Sequence, residues 1–553
     1  MDARIRQAIQ LALTDLGAGD TTFAVEWPTD SSHGDFATNA ALAAAKALGK
    51  DPRTIALQLV PLITDALGSL VSSVGVAGPG FVNIRLAPSE VTRLITEAVE
   101  HPEDWGRGNT NAGKRIIIEF SNTNAFKEMH IGHLMSTIIG ESLARITEYS
   151  GAVVARDSYG GDVGPHVAKA LWGLRDRDIT RPATATEIGS AYAHGSRAYE
   201  ESALIKEEID TLNQTIYRGD DAELMELWRK GRDVSTEAFK DLYRLLDTRF
   251  DYLFFESETA SLGLSLVREH IADGVFEESE GAIIYRGEKK GLHTLVFITS
   301  KGTPTYEAKD IGLAFLKEER WPSDASIIIT AAEQIGHFRV FLAALEDIAP
   351  TLANKTSHVP HGFLRLSSGK MSSRDGNVIT AASLIQDVID KTTERNEDPL
   401  IAGQVAMAAI KYSILRQSSD SDIIFDFEQS LSLEGDSGPY LQYALVRAVS
   451  ILAQAPDTST IIYDSANTPL EPYDLERLII RFPEVVARAE REKAPHHIAQ
   501  YLTQLASAWN SFYAKERILG DEYEGYKIRT ARAFVQTMRN GLWLLGIPTP
   551  ERM

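Results

Sequence analysis

The stretch RIIIEFSNTNAFKEMHIGHL, residues 115–134, decides the fold of this chain. It runs from the apolar segment Ile116 to Phe120, through a polar loop, into the helical pattern Leu134 to Tyr149. The loop ends on His130-Ile131-Gly132-His133, so two imidazoles and a glycine lie at the N-terminus of a predicted helix. A helix N-terminus that follows a strand is a favourable place to bind a polyphosphate. The stretch therefore predicts a nucleotide-binding α/β domain.

A second motif, Lys370-Met371-Ser372-Ser373-Arg374, lies in the Gly- and Ser-rich segment Ser367 to Gly376. A lysine and an arginine on such a loop could close over phosphates as charge develops on them. Taken singly, the first motif could be a helix cap and the second a solvated loop. Their occurrence together, in this order, indicates ATP-dependent adenylyl transfer.

Further strand-like segments alternate with helical ones and predict a Rossmann-like parallel sheet. They are Val153 to Asp157, Thr294 to Ile298 and Ala325 to Ile329. Between about residues 175 and 290 the sequence becomes charged and helical, which predicts an insertion with solvated polar faces.

The two ends of the chain have different patterns. The first hundred residues predict a small α/β unit, and the last segment has the apolar periodicity of a helical bundle. We therefore predict a multidomain α/β plus all-α protein with an N-terminal α/β domain at 1–108, a Rossmann-type catalytic domain at 109–435 with its helical insertion at about 175–290, and a helical domain at 436–553.

Composition excludes several classes of protein. Cysteine is absent, which excludes disulfides, thiol catalysis and zinc sites built on thiolates. No apolar run approaches the roughly 18 residues that a membrane helix needs, so we expect a cytoplasmic protein with no membrane partner. The net charge is −21, but residues 436–553 contain 13 Lys and Arg against 14 Asp and Glu. The acidic excess lies elsewhere, which permits a nucleic-acid-binding face in the C-terminal region.

Several more segments occur in the order found in one family, and with them the chain resembles the class I aminoacyl-tRNA synthetases and, among these, the arginyl-tRNA synthetases. The segments are His33-Gly34-Asp35-Phe36-Ala37-Thr38-Asn39, Ala77-Gly78-Pro79-Gly80-Phe81-Val82-Asn83, Ala125-Phe126-Lys127-Glu128-Met129, Thr305-Tyr306 with Lys309-Asp310, and Gly438-Pro439-Tyr440-Leu441-Gln442-Tyr443. Together they extend nearly from end to end of the chain.

The resemblance implies a two-step reaction. The carboxylate of L-arginine attacks the α-phosphate of ATP and releases pyrophosphate, and the terminal ribose hydroxyl of tRNA(Arg) then takes the arginyl group. Mg²⁺ would accompany ATP, held largely by phosphate and water, and no zinc is expected. Guanidinium chemistry should make editing unnecessary. We expect the protein to be a monomer.

The resemblance assigns the phosphate-binding roles to the two motifs. His130 and His133 would donate hydrogen bonds to the phosphoryl oxygens, and Gly132 would leave room for the nucleotide.

The cations of the site depart from the commonest class I pattern. That pattern has a lysine where this chain has Ser373. Lys127, three residues before His130, could supply the missing charge from the opposite side, a feature of arginyl enzymes with this loop variant. We predict Lys127 and Lys370 as the cationic pair, with Arg374 assisting.

Carboxylates should select the amino acid, because a guanidinium offers a rigid fork of donors and no acceptor. By position, Glu119 and Asp310 match arginine-binding residues of the family. Tyr306 lies one helical turn before Asp310 and could add a hydrogen bond or stacking. Asn124 and Gln334 match residues that hold the α-ammonium group. Without the resemblance, Glu119 and Asp310 could equally be structural ion-pair partners.

Aromatic residues of the C-terminal region could stack on unpaired anticodon bases. Tyr440 and Tyr443 are the candidates, although core packing is an equal alternative for both. Trp509 and Phe512 share a helical face with Leu505, which favours the core.

Two rival functions stay open at this point. The first is a class I synthetase for another amino acid, such as cysteine or glutamate. Cysteine selection commonly uses a thiolate-bound zinc, and a glutamate site would be expected to present cations rather than carboxylates. The second is a non-catalytic RNA-binding paralogue. Such a protein would have no physical need to keep Lys127, His130, His133 and Lys370, and the presence of all four in this chain argues against it.

Overall fold

A parallel β-sheet lies in the region where alternating strands and helices predict one. The structure is a computed structural model and describes residues 1–28, 30–367, 379–455 and 469–553. Its strands are β1 (Val25–Glu26), β2 (Phe36–Thr38), β3 (Val71–Ala77), β4 (Phe81–Leu86), β5 (Arg115–Glu119), β6 (Val153–Gly160), β7 (Tyr252–Phe255), β8 (Glu277–Ser279), β9 (Ala282–Tyr285), β10 (Leu295–Ile298), β11 (Ala325–Ala331), β12 (Thr356–His361), β13 (Leu364–Leu366) and β14 (Ile423–Phe425).

Helices make up most of the remaining described chain. They are α1 (Asp2–Asp15), α2 (Ala40–Leu48), α3 (Pro52–Leu67), α4 (Pro88–Glu100), α5 (Ile131–Tyr149), α6 (Pro165–Asp176), α7 (Ala185–Glu201), α8 (Ala203–Arg218), α9 (Ala222–Leu245), α10 (Glu256–Glu269), α11 (Tyr306–Arg320), α12 (Ile335–Ile348), α13 (Pro350–Lys355), α14 (Ala381–Thr393), α15 (Pro399–Leu415), α16 (Phe427–Ser430), α17 (Gly438–Leu452), α18 (Asp474–Ile479), α19 (Phe482–Glu492), α20 (His496–Lys515) and α21 (Glu524–Leu544). Within the described ranges, every helix falls short of the length and apolar character that crossing a bilayer requires.

Contacts group the chain into two units. One contains residues 1–107, 443–487 and 501–541, and the other contains residues 108–442, 488–500 and 542–553.

The larger unit contains the parallel sheet, in the order β12-β11-β5-β6-β7. Numbered by their appearance in this sheet, the strands run 5-4-1-2-3, which is the doubly wound order of nucleotide-binding folds. The strand order reverses between β5 and β11. Ligands of such sheets bind at this switch point, outside the carboxyl ends of the strands.

Strand β5 is the centre of this sheet, and its sequence explains its burial. Ile116, Ile117 and Ile118 are all buried, as expected for a parallel strand covered on both faces. Helix α5 packs directly on the end of this strand at Gly140, where a Cβ atom would lie 2.2 Å from Cγ of Phe120. Glycine at this position therefore sets how closely the helix approaches the sheet.

One predicted strand belongs to a different sheet. The segment Thr294 to Ile298 forms β10, but β10 pairs antiparallel with β9 in the three-stranded sheet β10-β9-β8. The prediction that it joins the parallel sheet is wrong, because an apolar run specifies a buried strand and not its partner. The region from 175 to 290 contains helices α7 to α9 and also β7, the edge strand of the parallel sheet.

The other unit contains a four-stranded antiparallel sheet in the order β1-β2-β4-β3, packed with α1 to α3, and parts of the C-terminal helices. The helical prediction for the C-terminal region is confirmed. Trp509 is fully buried and stacks on Phe534 with ring centroids 4.6 Å apart, and Phe512 is also buried. Both predicted core aromatics are therefore core residues.

A buried ion pair explains part of the segment His33 to Asn39. Both carboxylate oxygens of Asp35 lie 2.6 Å from Nη1 of Arg477 in α18, and both side chains are almost fully buried. One of the same oxygens also accepts a hydrogen bond of 2.7 Å from the Leu86 amide. Asp35 therefore joins the N-terminal sheet to a C-terminal helix within one unit.

We predict that Arg477→Met will lower the free energy of unfolding by about 3 kcal/mol, because it removes the cation that is hydrogen-bonded to the buried Asp35 carboxylate. Arg488→Met is the matched control, since Arg488 forms an exposed pair with Glu492, and it should cost under about 1 kcal/mol. Urea unfolding followed by tryptophan fluorescence measures both. Equal, small losses would show that the buried pair does not stabilise this unit.

Candidate active site

His130 and His133 cap the helix that follows β5. His130 is the N-cap residue of α5, and its Nδ1 accepts a hydrogen bond of 3.1 Å from the Gly132 amide. Nδ1 of His133 accepts one of 3.4 Å from the His130 amide. The two rings stack with centroids 3.7 Å apart. Capping therefore fixes the orientation of both imidazoles.

Burial determines the charge of the two rings, and the same hydrogen bonds determine which ring nitrogen carries the proton. Burial, followed by the charge of Lys127, lowers the pKa of His130, and burial lowers the pKa of His133 to about 3. Both rings are therefore neutral at physiological pH. Because each Nδ1 accepts a hydrogen bond from a backbone amide, the proton of each neutral ring must lie on Nε2. The helix N-terminus thus presents two neutral N–H donors.

The chain returns to this helix directly after residue 378. The Ile131 amide donates to the Ile379 carbonyl at 3.3 Å, and the Ala381 amide donates to the Met129 carbonyl at 2.7 Å. The predicted cations Lys370 and Arg374 lie outside the described residues.

Two carboxylates lie side by side on β5 and β6, at the carboxyl end of β5. Glu119 and Asp157 are register partners in the parallel pair, and both are buried. The Lys317 ammonium, in α11, lies 2.5 Å from Glu119 and 2.8 Å from Asp157. Burial raises the pKa of Asp157, Lys317 opposes this and Glu119 adds to it. Glu119, predicted to bind arginine, is thus also a structural ion-pair partner.

Asp310, the second predicted carboxylate, is paired with His337. Nε2 of His337, in α12, lies 2.6 Å from Asp310, and its Nδ1 lies 3.3 Å from Glu307. Burial opposes the charged imidazolium, but the hydrogen bonds to Asp310 and Glu307 outweigh it and raise the pKa of His337 to about 10. Asp310 and Glu119 line one cavity, together with Lys317 and Phe338.

The other predicted arginine ligands lie on the elements around this cavity. The Tyr306 side chain is 61% exposed, one turn before Asp310, and the Lys309 ammonium lies 5.0 Å from the centre of its ring. Asn124 lies in the loop after β5, where its Oδ1 would be 2.2 Å from a Cβ atom at position 161, so glycine there leaves room for the Asn124 side chain. Gln334 is exposed at the end of the short turn between β11 and α12.

Lys127 lies near the histidines in the loop before α5. Its charge contributes to the lowered pKa of His130 and His133. The Lys127 ammonium lies over the ring of Tyr192, 4.7 Å from the ring centre. Tyr192 belongs to α7, in the region predicted to be solvated insertion.

Sequence reasoning missed the resident cations of the pocket, Lys317 and His337. Lys317 lies two turns after Asp310 on the same helix, so heptad spacing could have placed both on one face. His337 lies one turn after Gln334. In the described ranges, no group of three or more His, Asp and Glu side chains is arranged to hold a metal ion.

The aromatic candidates of the C-terminal region differ in exposure. Tyr440 is half-buried and Tyr443 is 37% exposed, both in α17. The Arg447 guanidinium lies 5.5 Å from the ring centre of Tyr443 and 4.6 Å from that of Tyr513. Tyr513 is also exposed. An arginine between two exposed aromatic rings is a surface suited to stacking.

The doubly wound sheet and the histidine-capped helix at its switch point define a class I aminoacyl-tRNA synthetase catalytic domain. The family model described as "tRNA synthetases class I (R), catalytic domain" matches residues 95–427. The model "DALR anticodon binding domain" matches residues 441–553, and "Arginyl tRNA synthetase N terminal domain" matches residues 3–86.

Similar proteins cover nearly the whole chain. The arginine–tRNA ligase of Lactobacillus delbrueckii subsp. bulgaricus is 30% identical over 571 residues, covering 99% of each chain. That of Borrelia hermsii is 31% identical over 506 residues, covering 86% of each. The solved Thermus thermophilus arginyl-tRNA synthetase superposes with a TM-score of 0.80 at 26% identity, covering 99% of each. The chain belongs to the class I arginyl-tRNA synthetase family.

The pKa of His337 leads to a pH prediction. Because this pKa is raised from 6.5 to about 10 in the folded protein, the protonated ring stabilises the fold fully below about pH 6.5. This stabilisation is lost as the pH rises towards 10. The free energy of unfolding should therefore fall more steeply above about pH 7 in the wild type than in His337→Gln, which cannot titrate.

Urea unfolding at a series of pH values measures this difference. His194→Gln is the control, because His194 pairs with Asp176 on the protein surface. Parallel pH profiles for wild type and His337→Gln would contradict a charged His337.

Proposed function

We propose that this chain is an arginine–tRNA ligase that joins L-arginine to ATP as arginyl-adenylate and then transfers arginine to tRNA(Arg). One observation carries the proposal. Glu119, the last residue of β5, shares a pocket with Asp310 of α11, and the chain that follows Glu119 leads into a helix N-terminus with two neutral imidazole donors. The pocket suits a cationic amino acid, and the helix suits the phosphates of ATP.

Arginine recognition follows from the charges of the pocket. Glu119 and Asp310 would accept the donors of the guanidinium fork, and Tyr306 would close the pocket over it. Asn124 and Gln334 would hold the α-ammonium end. The rival glutamate enzyme is disfavoured, because a substrate carboxylate would add negative charge to a pocket whose cations, Lys317 and His337, are already paired with carboxylates.

Adenylation needs stabilisation of the negative charge that builds on the phosphoryl oxygens. In this proposal His130 and His133 donate their Nε2 protons as hydrogen bonds to those oxygens, without transferring them. Gly132 leaves space for the nucleotide, and Lys127 neutralises the leaving pyrophosphate. The magnesium complex of ATP is the substrate, with the ion held by phosphates and water.

Lys370 and Arg374 complete the cation set of the proposal. The chain that follows their segment pairs with Met129 and Ile131, beside the capping histidines. This connection supports a role for them at the same phosphates.

The proposal divides the work among three domains, 1–108, 109–435 and 436–553. The C-terminal domain would read the anticodon. Tyr443, in contact with Arg447, is the better candidate for base stacking, and Tyr440 is the second. We also propose that the protein works in the cytoplasm and that it is a monomer. Gel filtration of the purified protein would check the oligomeric state.

Aminoacylation tests the function directly. The purified protein is given total tRNA, ATP, Mg²⁺ and radiolabelled arginine, with glutamate, cysteine and lysine in parallel reactions. We expect label in tRNA from arginine alone. Charging with another amino acid would replace the proposed specificity. No charging by folded protein that still binds tRNA would support the non-catalytic paralogue.

We predict that Asp310→Asn will raise KM for arginine by about 10- to 100-fold, because a buried charge-assisted contact to the guanidinium is lost. KM for ATP should stay within about 2-fold of the wild-type value. Asp347→Asn is the matched control, since Asp347 is a partly buried aspartate that accepts a hydrogen bond from Tyr285. An unaltered KM and kcat/KM for arginine would remove Asp310 from the site.

A further inference from the structure

The loop that carries Lys127 rests on the inserted helices. The Phe126 ring is fully buried and fills the space beside Gly231 of α9, where a Cβ atom would lie 2.3 Å from the ring. The Phe126 amide donates a hydrogen bond of 3.0 Å to Oγ of Ser235, one turn later in α9. Helix α9 therefore fixes the backbone on the N-terminal side of Lys127.

Helix α7 contacts the other side of the same loop. At Gly189 a Cβ atom would lie 3.3 Å from Cγ of Glu128, the residue after Lys127. One turn later in α7, the Tyr192 ring lies beneath the Lys127 ammonium, 4.7 Å away. The same face of α7 thus touches two successive residues of the loop.

Close packing on α6 holds α7 in this place. A Cβ atom at Gly195 would lie 2.0 Å from the Lys169 carbonyl oxygen, and one at Gly173 would lie 2.1 Å from that of Ala191. These two contacts lie on either side of Tyr192 along the helix. Only glycine permits such backbone approach, so the position of Tyr192 is fixed against α6.

We propose that Tyr192 is a positioning residue for the adenylation step, holding the Lys127 ammonium at the place where pyrophosphate leaves. This rests on the function proposed above. An aromatic face attracts an ammonium through its quadrupole but leaves the positive charge uncancelled. A carboxylate partner would neutralise the charge that the phosphates need. The inserted helices are therefore part of the active-site framework.

ATP–pyrophosphate exchange with arginine and tRNA present tests this role. Tyr192→Leu should lower kcat of exchange by about 3- to 30-fold, the range expected for loss of a partly desolvated cation–π contact. KM for arginine should not change. Tyr192→Phe keeps the ring face but loses the hydroxyl, which also forms a hydrogen bond with Lys127, so it should lower the rate less than Tyr192→Leu does. Tyr199→Leu is the matched control, because Tyr199 lies in the same helix beneath the Lys169 ammonium, at 4.3 Å.

A double-mutant cycle separates positioning from folding. If Tyr192 acts through Lys127, then Tyr192→Leu will cause no further loss in a Lys127→Ala protein. An equal loss in both backgrounds would overturn the proposal, as would a wild-type rate for Tyr192→Leu or for Lys127→Ala alone. Thermal unfolding checks that each variant is folded. Should Tyr192→Leu unfold, Tyr192→Met carries the same test, since it keeps volume without an aromatic face.

Failure of the proposed function is distinct from these outcomes. It would appear as absence of arginine charging by the wild-type protein, whereas the outcomes above compare variants of an active enzyme.

Discussion

Two carboxylates on adjacent strands impose the main constraint on the catalytic unit. Glu119 and Asp157 are register partners in β5 and β6, buried from solvent, so their repulsion cannot be screened by water. The Lys317 ammonium between them makes this arrangement tolerable. It also ties α11 to the sheet at the switch point. Lys317 therefore pairs with both acids and lines the pocket as well.

A single cation shared by two carboxylates also occurs at Asp310, the second carboxylate of the pocket. This charge balance affects which amino acid the pocket can select. Glu307 and Asp310 share the single imidazolium of His337. Lys317 and His337 thus face four carboxylates, of which Glu119 and Asp310 line the pocket, so acidic groups outnumber these two cations and a cationic substrate can pair with them. A compact ammonium could neutralise it at one point. A guanidinium fork can address two carboxylates at once, which favours arginine over lysine.

Local sequence signals predicted those features that depend on neighbours in the chain. The passage from β5 to α5, the burial of Trp509 and the helical C-terminal region follow from periodicity and composition. The sheet to which β10 belongs did not follow, because strand pairing is decided by residues elsewhere. Strand β3 was not predicted either, since its Ser- and Gly-containing sequence is weakly apolar.

The residues of the site also differ in whether they could be predicted from the sequence. Glu119 and Asp310 could be found through the resemblance, as could His130 and His133. Lys317 lies 198 residues from Glu119 in sequence, and only the folded topology brings them together. The charged pattern of α7 correctly describes its solvent face. The inward face, which carries Gly189 and Tyr192, could not be predicted from the sequence, because glycines and one tyrosine do not produce a clear apolar periodicity.

The backbone of the loop after β5 explains why the inserted helices are needed. Ser121, Asn122 and Phe126 all have positive φ values, of 74°, 52° and 66°, which non-glycine residues adopt at a cost.

Contacts from α9 offset this cost. The Tyr243 hydroxyl lies 3.0 Å from the hydroxyls of both Ser121 and Thr123, and Ser235 and Gly231 receive Phe126. A loop of this shape would relax without that support, and the histidines, Lys127 and Asn124 would no longer be held together. Helix α9 of the insertion thus supports the conformation of the loop after β5, independently of what the outer faces of the inserted helices contact.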